Sequence, residues 1–424
     1  MRILVISIFL ITTLFSFILK YLNYTKRNAP LPDNVKDIYD KEEYVKQQAY
    51  EMEKLRYSIF TSIITRSIFL VMLVFNVYFQ VFDFLSAYTS NIYLLSLGLM
   101  LIPEFAEMII ESLLGIYNTF VIEGKYGFNK TTPKTYVLDF IKNTLFFVVI
   151  TSVLVSLFIF LDATFGNIVY PAFFVVFLVF AVSAQILSPF IIRLYYKLTP
   201  LEDGSLKDRI NALAEKHNFR IKNIYRVDAS KRTTKLNAFA TGFGKTKTIG
   251  MFDTLLEKMT EDEVVGIVAH EIGHAKHNHT MKGIPLSIIA FIIMLTGAFF
   301  IFTNPSFAQA FGFQYENIAF GVVILTVFIS PINLILSIPA MAQSRKHEIE
   351  ADTLFCETVG SEVSISAIKK GVRENFGNLT PHPLVVKLKH RHPTASQRIA
   401  YFEKLNLKPA PEHIAATELI EVKV

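Results

Sequence analysis

The 424-residue sequence contains one cysteine, Cys356, and no tryptophan. A single cysteine excludes an internal disulfide, so nothing in the sequence calls for an oxidising compartment. Charge is also scarce, because Asp, Glu, Lys and Arg make up 18% of the residues, against about a quarter in soluble domains. Hydrophobic residues make up 52% and the mean hydropathy is +0.41. This composition indicates a membrane protein.

Apolar stretches are long enough, or nearly so, to cross a bilayer as helices in seven places. The predicted transmembrane runs are residues 3–19, 67–85, 92–116, 145–161, 168–192, 284–302 and 318–341. The first could be a signal peptide, but it has no small-residue cleavage site, and its basic segment follows it. We therefore expect it to be retained as an anchor.

The lysines and arginines are sorted by loop. All 42 except Arg2 lie in segments that the seven runs place on one side, and the short loops 86–91, 162–167 and 303–317 have none. The positive-inside rule makes the basic side cytoplasmic, with the N-terminus outside and the C-terminus inside. The net charge of +6 therefore reflects membrane topology, and we expect no nucleic-acid partner.

The predicted fold class is mainly α, a polytopic membrane protein with a cytoplasmic α+β domain. The predicted parts are residues 1–192 with transmembrane helices one to five, a cytoplasmic part 193–283, helices six and seven in 284–341, and a C-terminal cytoplasmic part 342–424. The two cytoplasmic parts can form one domain. We expect a strand over 219–227 and a hairpin of strands 237–242 and 246–251.

The stretch HEIGH, from His270 to His274, matches the HExxH metalloprotease motif. Thr260 and three acidic residues after it predict the start of a helix that continues through His279. On a helix His270 and His274 share a face and can hold one Zn²⁺, while Glu271 can reach a bound water. The alternative is a solvated helix that is merely rich in histidine.

A catalytic zinc needs a third protein ligand and an open position. The extended HExxHxxGxxH pattern is not met, because His277 stands where glycine is required. The segment SRKHEIEAD offers Glu348 as the ligand, and Asp352 as acceptor for the remaining N–H of a ligand histidine. Glu350 is expected to face elsewhere. We assign neither His277 nor His279 to zinc.

These parts suit peptide hydrolysis. Zinc would activate water and polarise the scissile carbonyl, and Glu271 would carry the proton. The oxyanion needs a further donor, and the segment KHRHPTASQRI offers His392 and Arg398. The alternative for that segment is a solvated basic turn.

Three glutamates recur at helical spacing in the third apolar run. Glu104, Glu107 and Glu111 would lie on one face of a membrane helix. Charge inside a membrane is costly and usually faces protein or water. The sequence leaves open two explanations, hydrogen bonding between helices or a hydrated cavity.

The sequence resembles the type I CAAX prenyl endopeptidases, which are integral-membrane zinc proteases. The resemblance runs from about residue 103 to 399 and rests on the motifs TFVIEGKYGFNKTT, LTPLEDGSLKDRI, NAFATGFGKTKTIGMFDTLL, HEIGHAKHNH, SRKHEIEAD and RHPTASQRI, in the family's order. It implies seven tilted transmembrane helices around a water-filled chamber, closed on the cytoplasmic side by the zinc domain. That chamber offers the glutamates of the third run a place to face.

The resemblance also implies roles for single residues. It places the zinc ligands on His270, His274 and Glu348, the base on Glu271, the outer carboxylate on Asp352, substrate or oxyanion contacts on His392 and Arg398, and a substrate-binding edge strand on Asn237, Ala238 and Phe239. The substrate would add to that strand as a further strand.

The implied function is removal of the C-terminal tripeptide from farnesylated proteins by a zinc endopeptidase. The ending ELIEVKV has no dilysine retrieval signal, and the chain lacks long loop insertions, so it looks like a compact bacterial member in an inner membrane. Quality control of unprenylated membrane proteins is then an alternative. A channel or transporter with a structural zinc is the hypothesis from another class.

Overall fold

The computed structural model describes residues 1–242 and 247–409. Within these ranges the helices are α1 Arg2–Thr25, α2 Lys41–Val74, α3 Val77–Ser86, α4 Ile92–Ile116, α5 Pro133–Phe165, α6 Val169–Tyr195, α7 Ser205–Lys216, α8 Asp253–Lys258, α9 Glu261–Lys276, α10 His279–Phe302, α11 Pro305–Gln309, α12 Ile318–Glu374, α13 Pro383–Lys389 and α14 Ala395–Leu405. The strands are β1 Leu198–Pro200, β2 Asn223–Val227, β3 Ala238–Thr241 and β4 Thr248–Phe252.

Six helices of the described chain are long and apolar enough to cross a membrane. They are α1, α2, α4 with its continuation to Glu123, α5, α10 and α12. The predicted run 168–192 forms α6, which is not among the six, so the seventh crossing stays a prediction.

Most of these helices are longer than the apolar runs that predicted them. α2 begins at Lys41, where Asp40 and Glu43 form a reciprocal cap, and α12 continues 57 residues to Glu374. An apolar run identifies only the segment of a helix that can lie in the hydrocarbon core of a membrane. The ends of the helix are set by capping residues, which can lie well beyond that run. The run 67–85 is also not one helix, because Asn76 adopts a left-handed conformation (φ 57°) between α2 and α3.

The four described strands form one sheet in the order β1-β2-β4-β3. β3 pairs antiparallel with β4, as the expected hairpin requires, although position 246 lies outside the described residues. β2 pairs parallel with β4 and starts only at Asn223, because the chain first leaves α7 at Lys216 through Asn218 in a left-handed conformation (φ 52°). β1 was not foreseen, since three residues carry no readable alternation. This topology leaves β3 at an edge.

Two larger cores hold the fold together. One joins the sheet to α7, α9 and the polar half of α12 and is made largely of aliphatic side chains, with Phe355 and Phe402. The other joins α1, α3, α4, α10 and α12 among the apolar helices and is rich in phenylalanine. α12 contributes to both cores, so it links the apolar helices to the mixed α and β part.

A polar cavity of about 440 Å³ lies among the apolar helices α1, α2, α4 and α12. Glu107, Glu111 and Arg66 line it, together with Asn333. A cavity lets a charged group inside a membrane face polar surroundings rather than lipid. This arrangement favours the cavity explanation for two of the three glutamates of α4.

Candidate active site

Helix α9 carries the HExxH motif, and a reciprocal cap fixes its start. The Thr260 hydroxyl accepts a hydrogen bond from the Glu263 amide at 3.3 Å, and the Glu263 carboxylate accepts one from the Thr260 amide at 2.9 Å. The cap satisfies two amides of the first helical turn. Glu263 also accepts a hydrogen bond from Lys370 of α12 at 2.7 Å. The start of α9 is thereby tied to the helix that carries the expected third ligand.

Two glycines allow α9 to lie very close to α12. A Cβ on Gly273 would be 2.9 Å from the Cα of Ala351, and one on Gly266 would be 2.1 Å from the ring of Phe355. A side chain at Gly273 would collide with backbone, so the helices would have to separate. The close packing of the two helices sets the HExxH motif against the SRKHEIEAD segment.

Three side chains from these helices converge on one point. The Nε2 atoms of His270 and His274 lie 3.2 Å apart. Glu348 places Oε2 at 3.2 Å from the His270 nitrogen and Oε1 at 3.4 Å from the His274 nitrogen. Among the described residues, these three form the group whose ligand atoms could hold a metal ion.

The three side chains are spaced closely enough to share one zinc ion. Zinc binds imidazole nitrogen and carboxylate oxygen at about 2.0–2.2 Å, which makes the edges of the ligand tetrahedron about 3.3–3.6 Å. The two histidine nitrogens are 3.2 Å apart, and each lies 3.2–3.4 Å from a different oxygen of the Glu348 carboxylate. One ligand atom from each of the three residues lies within 4.8 Å of the others, so a small movement of the carboxylate would complete the site. Two neutral imidazoles and one carboxylate also form a common ligand set of catalytic zinc, with the fourth position open.

Asp352 is hydrogen-bonded to the first of the two motif histidines. Its Oδ1 accepts a hydrogen bond from Nδ1 of His270 at 2.9 Å, which leaves Nε2 as the ligand atom. Arg398 donates to both Asp352 oxygens, at 2.8 Å from Nε and at 2.5 Å from the terminal nitrogen. Asp352 lies beyond the apolar half of α12. Burial raises its pKa, but the charge and hydrogen bonds of Arg398, together with His270, outweigh burial and keep the pKa below its usual range.

A second chain of hydrogen bonds begins at the other motif histidine. The Nδ1 atoms of His274 and His279 lie 2.9 Å apart, and Nε2 of His279 lies 2.8 Å from Glu350. If His274 binds metal through Nε2, its Nδ1 must carry the proton and donate it to His279. His279 must then be protonated on Nε2, where it donates to Glu350. The His347 ring stacks on His279 with ring centroids 4.0 Å apart.

The contacts of His279 with His274 and with Glu350 were not foreseen, because the expected helix α9 continued through His279. The helix ends at Lys276, and Asn278 adopts a left-handed conformation (φ 52°) before α10 begins at His279. This turn brings His279 back to the ligand histidine. An asparagine two residues after a basic helix end is a stop signal that could have shown the break.

In the absence of metal, the neighbouring carboxylates favour the protonated form of the His270 imidazole. Burial lowers the pKa of His270, but hydrogen bonds to Asp352 and Glu348 outweigh burial and raise the pKa to about 9. Burial raises the pKa of Glu348, but hydrogen bonds to His270, His274 and His392 outweigh it and hold the pKa far below its usual range. A cation is therefore favoured at this point, and metal competes with a proton for it.

A cleft of about 430 Å³ opens beside the three side chains that could hold a metal ion. Asn237, Ala238, Glu271, His392 and Arg398 are among the residues that line it. The structure thus brings together the expected base, the two expected polar donors and two residues of the expected edge strand.

Three of the expected residues need closer description. His392 approaches Glu348 at 2.6 Å, with 62% of its side chain exposed. Arg398 lines the cleft, but its guanidinium forms two hydrogen bonds to Asp352. Its expected contact with substrate or oxyanion therefore stays a prediction. The Phe239 ring packs over Gly250 of β4, away from the cleft lining.

Comparison with known proteins identifies the relatives of this fold and site. Residues 20–197 match the family model described as CAAX prenyl protease N-terminal, five membrane helices, and residues 200–406 match Peptidase family M48. A probable CAAX prenyl protease 1 from Schizosaccharomyces pombe is 31% identical, over 92% of this chain and 84% of that protein. The chain belongs to the CAAX prenyl protease family.

Other members extend the similarity to sequence and structure. The CAAX prenyl protease 1 of Saccharomyces cerevisiae is 27% identical, over 93% of each chain. The crystal structure of Ste24p from S. mikatae superposes with a TM-score of 0.89 at 26% identity and covers 95% of this chain and 99% of that one. The family membership confirms an integral-membrane metallopeptidase and the resemblance found in the sequence.

Two expectations find no support in these relatives. Those named here come from fungi, which gives no reason to place the chain in a bacterial inner membrane. A channel with a structural zinc is also unsupported, because the relatives with this fold are named proteases.

Proposed function

We propose that the chain is a zinc endopeptidase that holds one zinc ion and cleaves near the C-terminus of prenylated proteins. The supporting observation is the convergence of His270, His274 and Glu348, with one ligand atom of each within 4.8 Å of the others, beside a cleft that contains Glu271. The names of the relatives suggest the substrate class.

The chain's own residues divide the chemistry among them. His270, His274 and Glu348 would hold the zinc ion, which would polarise the scissile carbonyl and activate water near neutral pH. Glu271 takes the proton of the attacking water on a carboxylate oxygen and passes it to the leaving nitrogen. In its doubly protonated form His392 can donate from Nδ1 to Glu348 and from Nε2 to the carbonyl oxygen as charge develops there.

Arg398 and Asp352 are proposed to position the ligand His270 rather than to contact the metal ion or the substrate. Because the Arg398 guanidinium is bound to Asp352, we assign to it the task of holding that carboxylate charged and in place. Asp352 then fixes the tautomer of His270. His392, which is more exposed, is left as the side chain that contacts the substrate.

The substrate peptide is proposed to lie along β3. Asn237 and Ala238 line the cleft, and β3 is one of the two edge strands of the described sheet. An extended peptide can add to such an edge through backbone hydrogen bonds. The other end of β3 contacts α6, where the hydroxyls of Thr241 and Ser188 are hydrogen-bonded. A substrate could therefore run from the membrane helices into the cleft.

The distribution of basic residues supports the proposed topology. With seven crossings, the parts 193–283 and 342–424 lie on the cytoplasmic side and together form the catalytic domain. The parts 1–192 and 284–341 supply the membrane helices. The cavity lined by Glu107 and Glu111 is consistent with a hydrated chamber among them.

Mass analysis of cleavage products tests this function. Purified protein is incubated with a farnesylated CAAX peptide, the same peptide without farnesyl, and an unprenylated membrane-protein fragment, each with and without chelator. We expect chelator-sensitive release of a C-terminal tripeptide from the farnesylated peptide. Chelator-sensitive cleavage of the unprenylated fragment alone would instead favour the quality-control function. No chelator-sensitive cleavage of any of them would refute the proposal.

Glu271→Gln provides the matching variant. It should retain zinc, because Glu271 is not a ligand, and lose about 10²–10⁴-fold in kcat. Glu362→Gln on α12 is the control, since Glu362 is exposed and does not line the cleft. Metal content of both variants is measured by elemental analysis. Full activity in Glu271→Gln would exclude its role as the base.

A further inference from the structure

The free edge of β3 has a defined end on the side of the cleft. The amide of Phe252 donates to the carbonyl of Asn237, and these two residues are opposite each other in the β3–β4 register. Backbone groups alternate in direction along a strand, so those of Leu236, Ala238 and Ala240 point away from β4. These are the groups that an added strand would use.

At Leu236 a side chain already occupies the edge. The Leu236 amide donates to Oδ1 of Asn375 at 2.8 Å, and the Asn375 amide nitrogen donates to the Leu236 carbonyl at 3.1 Å. One donor and one acceptor from a single amide satisfy both outward groups of the residue. The Asn375 side chain therefore does what one residue of a neighbouring strand would do.

Asn375 is held firmly where α12 ends. It caps the helix, and the next residue, Phe376, adopts a left-handed conformation (φ 52°). The Phe376 ring packs edge-on against Phe128 with ring centroids 5.0 Å apart and against Tyr50 at 5.9 Å. Gly377 donates from its amide to Val372 at 2.9 Å and closes the turn. The amide of Asn375 is thus presented by a packed turn.

The segment leading into β3 is anchored as well. The Lys235 ammonium donates to the Tyr50 hydroxyl at 2.8 Å and to Glu123 at 3.0 Å, and the Lys235 carbonyl accepts from Thr254 at 2.8 Å. Neither partner of the Leu236–Asn375 pair can therefore move away easily to admit a peptide.

We propose that Asn375 is a specificity-determining residue that ends the substrate-pairing edge and limits how many residues can follow the scissile bond. This inference rests on the proposed strand addition along β3. Antiparallel pairing, the commoner kind, would run the substrate from Thr241 towards Leu236, with its C-terminal end at Asn375. The substrate residue that follows the one paired with Ala238 would lie opposite Asn237. Pairing would stop there, because Asn375 already occupies the outward groups of Leu236. A short C-terminal fragment fits this edge, whereas a long one must leave it.

Two series of peptides test the role of Asn375. They share one farnesylated cleavage site and carry three or six residues after the scissile bond. The native protein should cleave the short series with the higher kcat/KM. Asn375→Ala should lower the ratio of short to long kcat/KM about tenfold, which corresponds to ~1.4 kcal/mol. The reason is that the freed groups of Leu236 can then pair with the longer peptide. Asn375→Ser, which cannot span both groups, should change the ratio in the same direction.

Asn378→Ala is the matched control. Its side chain accepts a hydrogen bond from Thr380 at 2.9 Å within the same loop and lies outside the cleft, so the ratio should be unchanged. Metal content and thermal unfolding identify the folded variants. An unchanged ratio in both folded Asn375 variants would overturn the inference. If the native protein cleaves neither series in a chelator-sensitive way, the proposed function itself fails.

Discussion

Asp352→Asn tests whether one buried carboxylate stabilises both the fold and the metal site. Asp352 is fully buried between Arg398 and His270, at 2.5 Å and 2.9 Å from their nitrogens. Asparagine keeps the shape but removes the charge and turns an amide group towards the guanidinium. Breaking a buried ion pair by changing one partner costs about 3–5 kcal/mol. Loss of an outer partner weakens metal binding about 10–100-fold.

The single cysteine of the chain provides the assay. Cys356 is buried one helical turn after Asp352 on α12. A thiol-reactive dye therefore reacts with it only when this region of α12 unfolds, and the reaction can be followed on heating in detergent. At roughly 2–4 °C per kcal/mol, the unfolding temperature should fall by about 6–20 °C. Asp37→Asn is the control, since Asp37 pairs with Lys369 at the surface and such pairs contribute about 0–1 kcal/mol.

The double variant Asp352→Asn with Arg398→Met separates the effect of the unpaired buried charge on stability from the effect of Asp352 on metal affinity. Removing the unpaired cation should restore much of the unfolding temperature, because the penalty comes mainly from the charge left in the interior. Metal affinity should stay low, because His270 still lacks its carboxylate. Equal destabilisation in the single and double variants would refute the assigned ion pair.

The effect of Asp352→Asn also depends on pH. Arg398 and His270 hold the pKa of Asp352 below its usual range, so its contribution is present above the ordinary aspartate pKa. That contribution is lost as the pH falls through the lowered value. The difference between native protein and variant should therefore be largest near neutral pH and shrink below about pH 4. A difference that does not change with pH would contradict the assignment.

Other predictions concern neighbouring parts of the site. His279→Ala should weaken metal binding about 10–100-fold in chelator competition, because the tautomer of the second ligand histidine is no longer held. His392→Gln should lower kcat about 10²-fold with little change in KM, if His392 donates mainly in the transition state. Metal affinity should rise about tenfold per pH unit between pH 7 and 9 and level off above, because the pKa of His270 is raised to about 9 and one proton is displaced. Gly273→Ala should destabilise the fold by about 1–3 kcal/mol, because the added carbon would lie 2.9 Å from the backbone of α12.

Each of these predictions has a control and a contradicting result. His277→Ala controls for His279→Ala, and equal metal affinities in both variants would exclude a role for the chain of hydrogen bonds through His279. A raised KM at unchanged kcat in His392→Gln would assign that residue to ground-state binding. A flat pH dependence would exclude proton competition at the ligands. Gly283→Ala controls for Gly273→Ala, because a Cβ on Gly283 would meet open space.

The sequence alone was sufficient for the features that repeat at short range. Long apolar runs reveal membrane helices because each run carries its signal locally, and six such helices are present in the described chain. The HExxH motif places two histidines on one face because helical spacing alone decides it. Glu348 and Asp352 could be chosen because they too lie one turn apart on a single helix.

Helix ends and small strands could not be predicted in the same way. A continuous helix would have placed His279 on a different face from His274, but the break at Asn278 brings the two side chains into contact. The break at Asn76 divides the predicted transmembrane run 67–85 into two helices. Both depend on one residue in a left-handed conformation. That conformation is cheap for asparagine but is chosen by tertiary packing.

What the sequence determined by itself is the membrane character, the metal-binding motif and the residue types suited to hydrolysis. Only the tertiary structure decided which distant residues meet. Arg398 lies on Asp352 rather than free in the cleft, and Asn375 lies on Leu236 at the end of the edge strand. These pairs are separated by 46 and 139 residues, so no local periodicity connects them. They form because α14 packs on α12, which brings Arg398 to Asp352, and because the end of α12 lies against the residues before β3, which brings Asn375 to Leu236.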